Sequence, residues 1–300
     1  MITTIDHGFS TCATPESGVA QVFLCQIRFW FVAIFSSPLL DFYKTPCYNE
    51  VNFIYSPGGI RNEVYIMLAV SHLTKRYSSA LANADISFAV QPGEVSVLLG
   101  PNGAGKSTAV KCIVGLLRFE GEITVCGHPN KSLEAKRVLG YVPEMPALYE
   151  LLTVEEHLEF IARAYELKDW KPWAQTLMDR FELTDKKDKL GSELSKGMQQ
   201  KVSICAALLP VPKVILFDEP MVGLDPHAIK ELKKLFLELK QGGCSVIIST
   251  HMLDSVDELW DSAHIMMGGR IAASRTREEI ERQNENLEDL FFQITEGGSK

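Results

Sequence analysis

No two of the seven cysteines stand in a CxxC spacing; they are odd in number and scattered over positions 12, 25, 47, 112, 126, 205 and 244. That pattern argues against a disulfide-stapled secreted scaffold and reads as reduced thiols in a cytosolic protein. Also missing is any apolar run of the ~20 residues that a membrane-crossing helix needs. The nearest is Phe29 to Leu40, FWFVAIFSSPLL, interrupted by Ser36, Ser37 and Pro38 and edged by Arg28. The amino terminus, MITTIDHGF, lacks the basic residues of a secretory signal. Positive charge is in short supply too: the formal net charge of −8 excludes a nucleic-acid binder that works through a broad basic face, so no nucleic-acid partner is expected. The 46% hydrophobic content over 300 residues supports one large core or two modest ones.

Glycine, by contrast, is concentrated where it carries meaning, in GPNGAGKST from Gly100 to Thr108. Gly100, Gly103 and Gly105 let the backbone fold so that its amides point inward and cradle phosphate oxygens. Lys106 adds a charge for the β and γ phosphates, and the Ser107 hydroxyl is suited to ligate Mg²⁺. A helix expected over Ser107 to Leu117 directs the positive end of its dipole at the same anion. The loop follows the strand-like run Glu94 to Leu99, and all of Gly100, Pro101, Asn102, Gly103, Ala104, Gly105, Lys106, Ser107 and Thr108 form the candidate nucleotide site.

This loop alone does not separate a transporter subunit from a small-molecule kinase or a GTPase. Further along, the apolar run Val214 to Phe217 predicts a strand buried on both faces, which delivers Asp218 and Glu219 to the ligand-binding edge of a parallel sheet. Asp218 there suits Mg²⁺ held through water. Glu219 suits the acceptance of a proton from an attacking water.

With those residues in place, the stretch from about Met67 to Gly297 resembles the nucleotide-binding domains of ATP-binding cassette (ABC) transporters. The resemblance implies an α/β P-loop NTPase fold, with a RecA-like core, an antiparallel β subdomain and a helical signature subdomain over about 144–209. LSKGM, Leu194 to Met198, is similar to the family's LSGGQ signature but departs at Lys196 and Met198. Ser195 and the Gly197 amide are the atoms it offers to the γ phosphate of a nucleotide held by a second subunit. Tyr77 resembles the aromatic that stacks on adenine, Asp225 in GLDP the loop linking two active sites across a dimer, and His251 the histidine that contacts the γ phosphate. At Glu144 the family's usual glutamine, a Mg²⁺ ligand and hinge to the membrane partner, is replaced by a carboxylate that can still reach the metal. It also adds negative charge near the triphosphate. The metal set implied is Ser107, Glu144 and Asp218.

The Lys-Gly-Met variant and Glu144 resemble bacterial exporters of the antibiotic, sodium and bacteriocin-immunity type. What the resemblance implies is a subunit that binds ATP and Mg²⁺ and hydrolyses ATP with Glu219, His251 and Lys106. It would work as a homodimer or heterodimer on a separate integral membrane permease, and would be cytoplasmic and peripheral on the inner face of the cell membrane. A non-transport ABC ATPase or an ATP-binding regulatory switch is the alternative. Against coiled-coil chromosome ATPases stand the 88 residues from Lys106 to Leu194, too few for the long insertion, and against the two-domain translation factors stands the single set of motifs. Glu219 and His251 argue against a non-hydrolysing copy.

Around these motifs, GEITVCG (121–127) and VLGYVP (138–143) are expected to continue the strands that cover the nucleotide. The capping box TVEE opens a helix with Val154, Leu158, Ile161, Ala162 and Tyr165 on one face. Ile229, Leu232, Leu235, Phe236 and Leu239 mark another, ended by Gly242 and Gly243, and SVIIST follows as a strand. Met145, Leu148 and Tyr149 are candidate permease contacts, and EDLFFQITEGG resembles the short terminal segment of these exporters. Residues 1–66 carry no nucleotide motif. Met67 is the expected biological start, with Glu63-Val64 encodable as a ribosome-binding sequence; an extra module lying on the membrane through Phe29 to Phe35 is the other reading.

Overall fold

The computed structural model describes residues 66–78 and 80–297, with side chains to residue 295; the expectations for residues 1–65 lie outside this range. Two sheets organise the chain. The first is antiparallel, in the order β2-β1-β4-β5. In it, β1 (Leu68–Tyr77) and β2 (Ala80–Val90) form a hairpin, followed by β4 (Glu120–Val125) and the two-residue β5 (His128–Pro129). The second sheet has the order β10-β9-β3-β8-β7-β6. Its strands β3 (Val95–Leu99), β6 (Leu139–Val142), β7 (Val214–Asp218), β8 (Ser245–Thr250) and β9 (Ser262–Met267) run parallel, and β10 (Arg270–Thr276) closes one edge antiparallel to β9.

Every residue of β3, β7 and β8 is buried, which is why their apolar residues fall in consecutive runs rather than in alternation with exposed polar ones. VLGYVP departs from its expected place: β6 pairs in parallel with β7, from Leu139 opposite Val214 to Val142 opposite Phe217, and so belongs to the core sheet. A short apolar run carries no mark of which sheet it joins, and the crossover from β6 through three helices back to β7 decides it.

The phosphate-loop helix, α1, spans Lys106–Ile113 and is shorter than the expected Ser107 to Leu117. Gly115 takes φ +81°, and the amides of Gly115 and Leu116 fold back onto the carbonyls of Cys112 (3.0 Å) and Lys111 (2.9 Å). This paired closure at a left-handed glycine ends a helix. After α2 (Leu133–Val138) come α3 (Val154–Ala164), α4 (Trp170–Arg180) and α5 (Lys196–Leu208). Thr153 and Glu156 make the reciprocal capping box of α3. Val154, Leu158 and Ala162 are buried, Ile161 is partly buried against the same cluster, and Tyr165 is half-exposed.

Helix α6 (Pro226–Gln241) begins at an Asp225 cap with proline in the first turn. It ends as the glycine pair predicts, with Gly243 at φ +83° and Cys244 N–H donating to Leu239 O at 2.9 Å. Leu232, Leu235, Phe236 and Leu239 are completely buried against the core sheet, and Phe236 meets Phe217 of β7 edge to face at 4.8 Å. The chain closes with α7 (Arg277–Gln283) and α8 (Leu287–Gly297).

Candidate active site

Adjacent parallel strands end at a common edge, and β3, β8 and β7 are neighbours there. The register sets Leu99 beside Thr250, and Asp218 beside Ser249. The loop from Gly100 to Gly105 leaves β3 and enters α1, while Glu219 continues β7 and His251 continues β8. The sheet thus brings Lys106, Ser107, Asp218, Glu219 and His251 to one place.

Close packing holds the loop. A Cβ on Gly100 would stand 2.5 Å from the Met266 carbonyl oxygen. Gly105 takes φ +99°, and a Cβ there would stand 2.6 Å from both Ala82 O and Asn83 Nδ2. Asn83, buried on β2, donates to Gly105 O at 3.0 Å, and Gly269 N–H donates to Ala104 O at 3.1 Å. At the tip, Asn102 and Gly103 are exposed, and Pro101 and Thr108 are half-buried. Lys106 is buried, and its ammonium donates to Gly100 O (2.8 Å) and Pro101 O (3.3 Å).

Across from it, Ser107 Oγ donates to Asp218 Oδ1 at 3.1 Å. Burial raises the Asp218 pKa above the ordinary carboxylate range; the neighbouring hydroxyls of Ser249 and Ser107 oppose the shift, and the charges of Glu144 and Glu219 add to it. Glu219 is also buried and takes φ +47°. That left-handed backbone is strained for a residue with a side chain, a cost typical of functional positions. One carboxylate oxygen, Oε2, accepts from Thr250 Oγ1 at 3.1 Å. The other, Oε1, lies 2.9 Å from His251 Nδ1 and 3.6 Å from the Lys106 ammonium.

Glu144 is exposed on the loop after β6 and is felt at Asp218 as charge. Tyr77 stands at the end of β1, 45% exposed, with Lys75 Nζ 4.8 Å above its ring. A second group forms around the start of α5. Ser195 caps the helix by accepting from Met198 N at 3.3 Å. Gly197 lies so close to Gly223 that a Cβ would be 2.8 Å from its carbonyl oxygen. Asp225 caps α6 through Ala228 N at 2.8 Å and pairs with Lys201 of α5 at 3.1 Å, contacts that hold its pKa below the usual range. Among the described residues, no hydrogen bond or ion pair joins this second group to the phosphate loop. Apart from Tyr77 and Glu144, which stand exposed, the predicted residues therefore fall into two clusters within one chain. Sequence reasoning missed Asn83 and Lys201, which lie in no recognisable pattern, and Thr250, whose one signal was its place beside His251.

A hydroxyl touching a buried carboxylate, with a further acid nearby, is an oxygen donor set that suits Mg²⁺, which draws its remaining ligands from water and phosphate. No group of three or more His, Cys, Asp or Glu among the described residues could hold a metal unaided. A cleft of about 480 Å³ opens between β6 and the helices, lined among others by Tyr141, Leu148, Tyr149, Phe160 and Ala206. His157 fixes one wall: Nε2 accepts from Tyr149 N at 2.8 Å and Nδ1–H donates to Thr153 O at 2.7 Å. Met145 stands 72% exposed. No helix among the described residues is long and apolar enough to cross a membrane.

The sequence profile described as ABC transporter matches residues 83–222. EcsA, an ABC-type transporter ATP-binding protein of Bacillus subtilis (strain 168), is 37% identical over 238 residues, which cover 76% of this chain and 96% of EcsA. This chain belongs to the ABC transporter ATP-binding proteins. The SkfA peptide export ATP-binding protein SkfE of the same organism is another relative, 32% identical over 73% of this chain and 93% of its own length. A solved ATP-binding subunit of an ABC transporter superposes with a TM-score of 0.72 at 36% identity, covering 76% of this chain and 99% of that one. The P-loop NTPase fold of the family is thus the fold of this ABC subunit.

Proposed function

We propose that this ABC subunit hydrolyses ATP to power a separate membrane permease, as an exporter, through closure and opening of a dimer of ATP-binding domains. The observation that carries the reading is Glu219, placed at the sheet edge with the Lys106 ammonium, Thr250 and His251 around its carboxylate. Tyr77 stacks on the adenine. The loop amides and Lys106 hold the phosphates. When bound, Mg²⁺ neutralises phosphate charge, and Ser107, Asp218 and Glu144 are the residues that would hold it. Glu219 orients a water for in-line attack and takes its proton, while His251 steadies the carboxylate and the charge developing on the γ phosphate.

The separation of the Ser195 and Gly197 turn from the phosphate loop within one chain supports a dimer, in which each turn caps the nucleotide of the other subunit. Asp225, tied to α5 through Lys201, then relates the two sites. Leu148 and Tyr149 on the cleft, with Met145 beside them in sequence, form the permease contact. The chain works on the cytoplasmic face of the cell membrane as a peripheral subunit. Export is supported by Glu144, the Lys-Gly-Met signature, and relatives whose names specify peptide export and linearmycin resistance.

Glu219→Gln tests the reading. The amide keeps the shape but accepts no proton, so hydrolysis falls at least ~100-fold and the ATP-bound dimer accumulates. Size-exclusion chromatography that finds only monomer at saturating Mg·ATP refutes the dimer mechanism, and undiminished phosphate release refutes the role of Glu219.

A further inference from the structure

Thr250 is a residue of this site to which no sequence pattern assigned a task, and its hydrogen bonding leaves it little freedom. It is buried at the end of β8, flanked by Leu99 of β3 in the register and followed by His251. Its hydroxyl oxygen accepts the Met252 N–H at 3.1 Å. The one hydroxyl proton is left for the other neighbour, Glu219 Oε2, at 3.1 Å. With His251 at Oε1, both carboxylate oxygens are held. The backbone of Glu219 is held as well, since its N–H donates to Ser249 O at 2.8 Å and its φ is +47°.

We propose that Thr250 is the positioning residue of Glu219: its hydroxyl fixes the rotation of the carboxylate, so that one oxygen faces the attacking water. This inference rests on the proposed hydrolytic role of Glu219 and adds a residue to it. The reasoning concerns geometry rather than charge. A carboxylate anchored at Cα in a strained conformation still turns about its side-chain bonds, and two donors from one strand end, one to each oxygen, stop that rotation. Displacement of a reacting group by about 1 Å is enough to lower a rate on the order of a hundredfold. Because Thr250 donates to Glu219 and not to the phosphate loop, its loss alters turnover and leaves nucleotide binding intact.

The test uses the full chain with Thr250→Val, which keeps the branched shape and removes the hydroxyl, and Thr250→Ser, which keeps the hydroxyl. Steady-state phosphate release at varied Mg·ATP is expected to give Thr250→Val a kcat at least about tenfold lower, with KM within about twofold of the parent. The affinity for a fluorescent ATP analogue should be unchanged, and Thr250→Ser should recover most of the kcat. Equal losses in the Val and Ser variants would assign Thr250 to packing and overturn the proposal. So would a Val variant with parental kcat, or one whose loss lies in KM. Glu219→Gln is run alongside. If it hydrolyses like the parent, or the parent itself does not turn over, the hydrolytic reading fails and takes the inference with it. If only Glu219→Gln is impaired, the role of Thr250 alone fails.

Discussion

Acid should weaken this protein through His264 before it reaches most of the carboxylates. The imidazole lies buried on β9, its ring 4.8 Å from that of Phe88 on β2 and its Nδ1 2.8 Å from Ser274 Oγ on β10. Nε2 has no hydrogen-bond partner among the described residues. A charged ring there would lose its water, and burial pushes the pKa down from 6.5 to about 4. The sign follows from proton counts. As pH falls from 6.5 towards 4, the unfolded chain binds a proton that the folded chain refuses, so stability is complete above pH 6.5 and declines through that window. One proton changes stability by about 1.4 kcal/mol per pH unit, so the whole interval is worth roughly 3 kcal/mol.

The assay is urea unfolding followed by tryptophan fluorescence, with the buried Trp173 and Trp260 as reporters, at pH values from 7.5 to about 4.5. Measured against His264→Phe, which keeps a ring and binds no proton, the parent should lose stability more steeply with falling pH. The comparison also cancels Asp218, whose raised pKa acts in the opposite sense, because it is present in both proteins. Stability curves of parent and variant that run parallel between pH 6.5 and 5 would refute the argument.

The two left-handed glycines of the phosphate loop separate backbone strain from collision. Gly103→Ala meets nothing within 4 Å and should cost only the strain of its φ of +81°, about 1 kcal/mol. Gly105→Ala adds contacts of 2.6 Å with Ala82 and Asn83 and should cost roughly 2 kcal/mol more; equal melting temperatures for the two variants would show that the loop yields freely. Asp218→Asn removes a buried carboxylate whose raised pKa marks a penalty on the charged form in the folded state. The nucleotide-free variant should therefore melt at a higher temperature at pH 7 to 8 while losing Mg²⁺-dependent ATP hydrolysis, and a lower melting temperature would contradict that account.

The legible part of this chain is the part in which composition and position leave one solution. SVIIST and VILFD carry unbroken apolar stretches, Val246 to Ile248 and Val214 to Phe217, because both faces of their strands are covered, and the strands lead directly to chemical groups, His251 and Asp218. The helix ends were legible where glycine could take a left-handed conformation, as at Gly243. At Gly115 the same device operates, yet the apolar residues Leu116 and Leu117 continue the helical pattern beyond it and hide the end of the helix at Ile113. The sheet that VLGYVP joins is not legible, because its partner, β7, lies more than seventy residues away, and pairing over that distance leaves no trace in a four-residue strand. Asn83 and Lys201 were invisible for a related reason: each acts on a backbone or a carboxylate brought near only by the finished fold.

The charges of Glu219 and Glu144 both bear on Asp218 at the sheet edge, and the ammonium beside it, Lys106, is already shared between loop carbonyls and Glu219. A triphosphate brought to this edge would add several negative charges to a locally acidic place, which the helix α1 dipole, worth about half a charge, does not balance. A divalent cation held by Ser107 and Asp218 would supply the balance, and it would also draw Asp218 back towards ionisation. Nucleotide affinity in this subunit should accordingly depend on Mg²⁺ more steeply than it would with an uncharged amide at position 144. An acid at position 144 would then bear directly on how ATP is held.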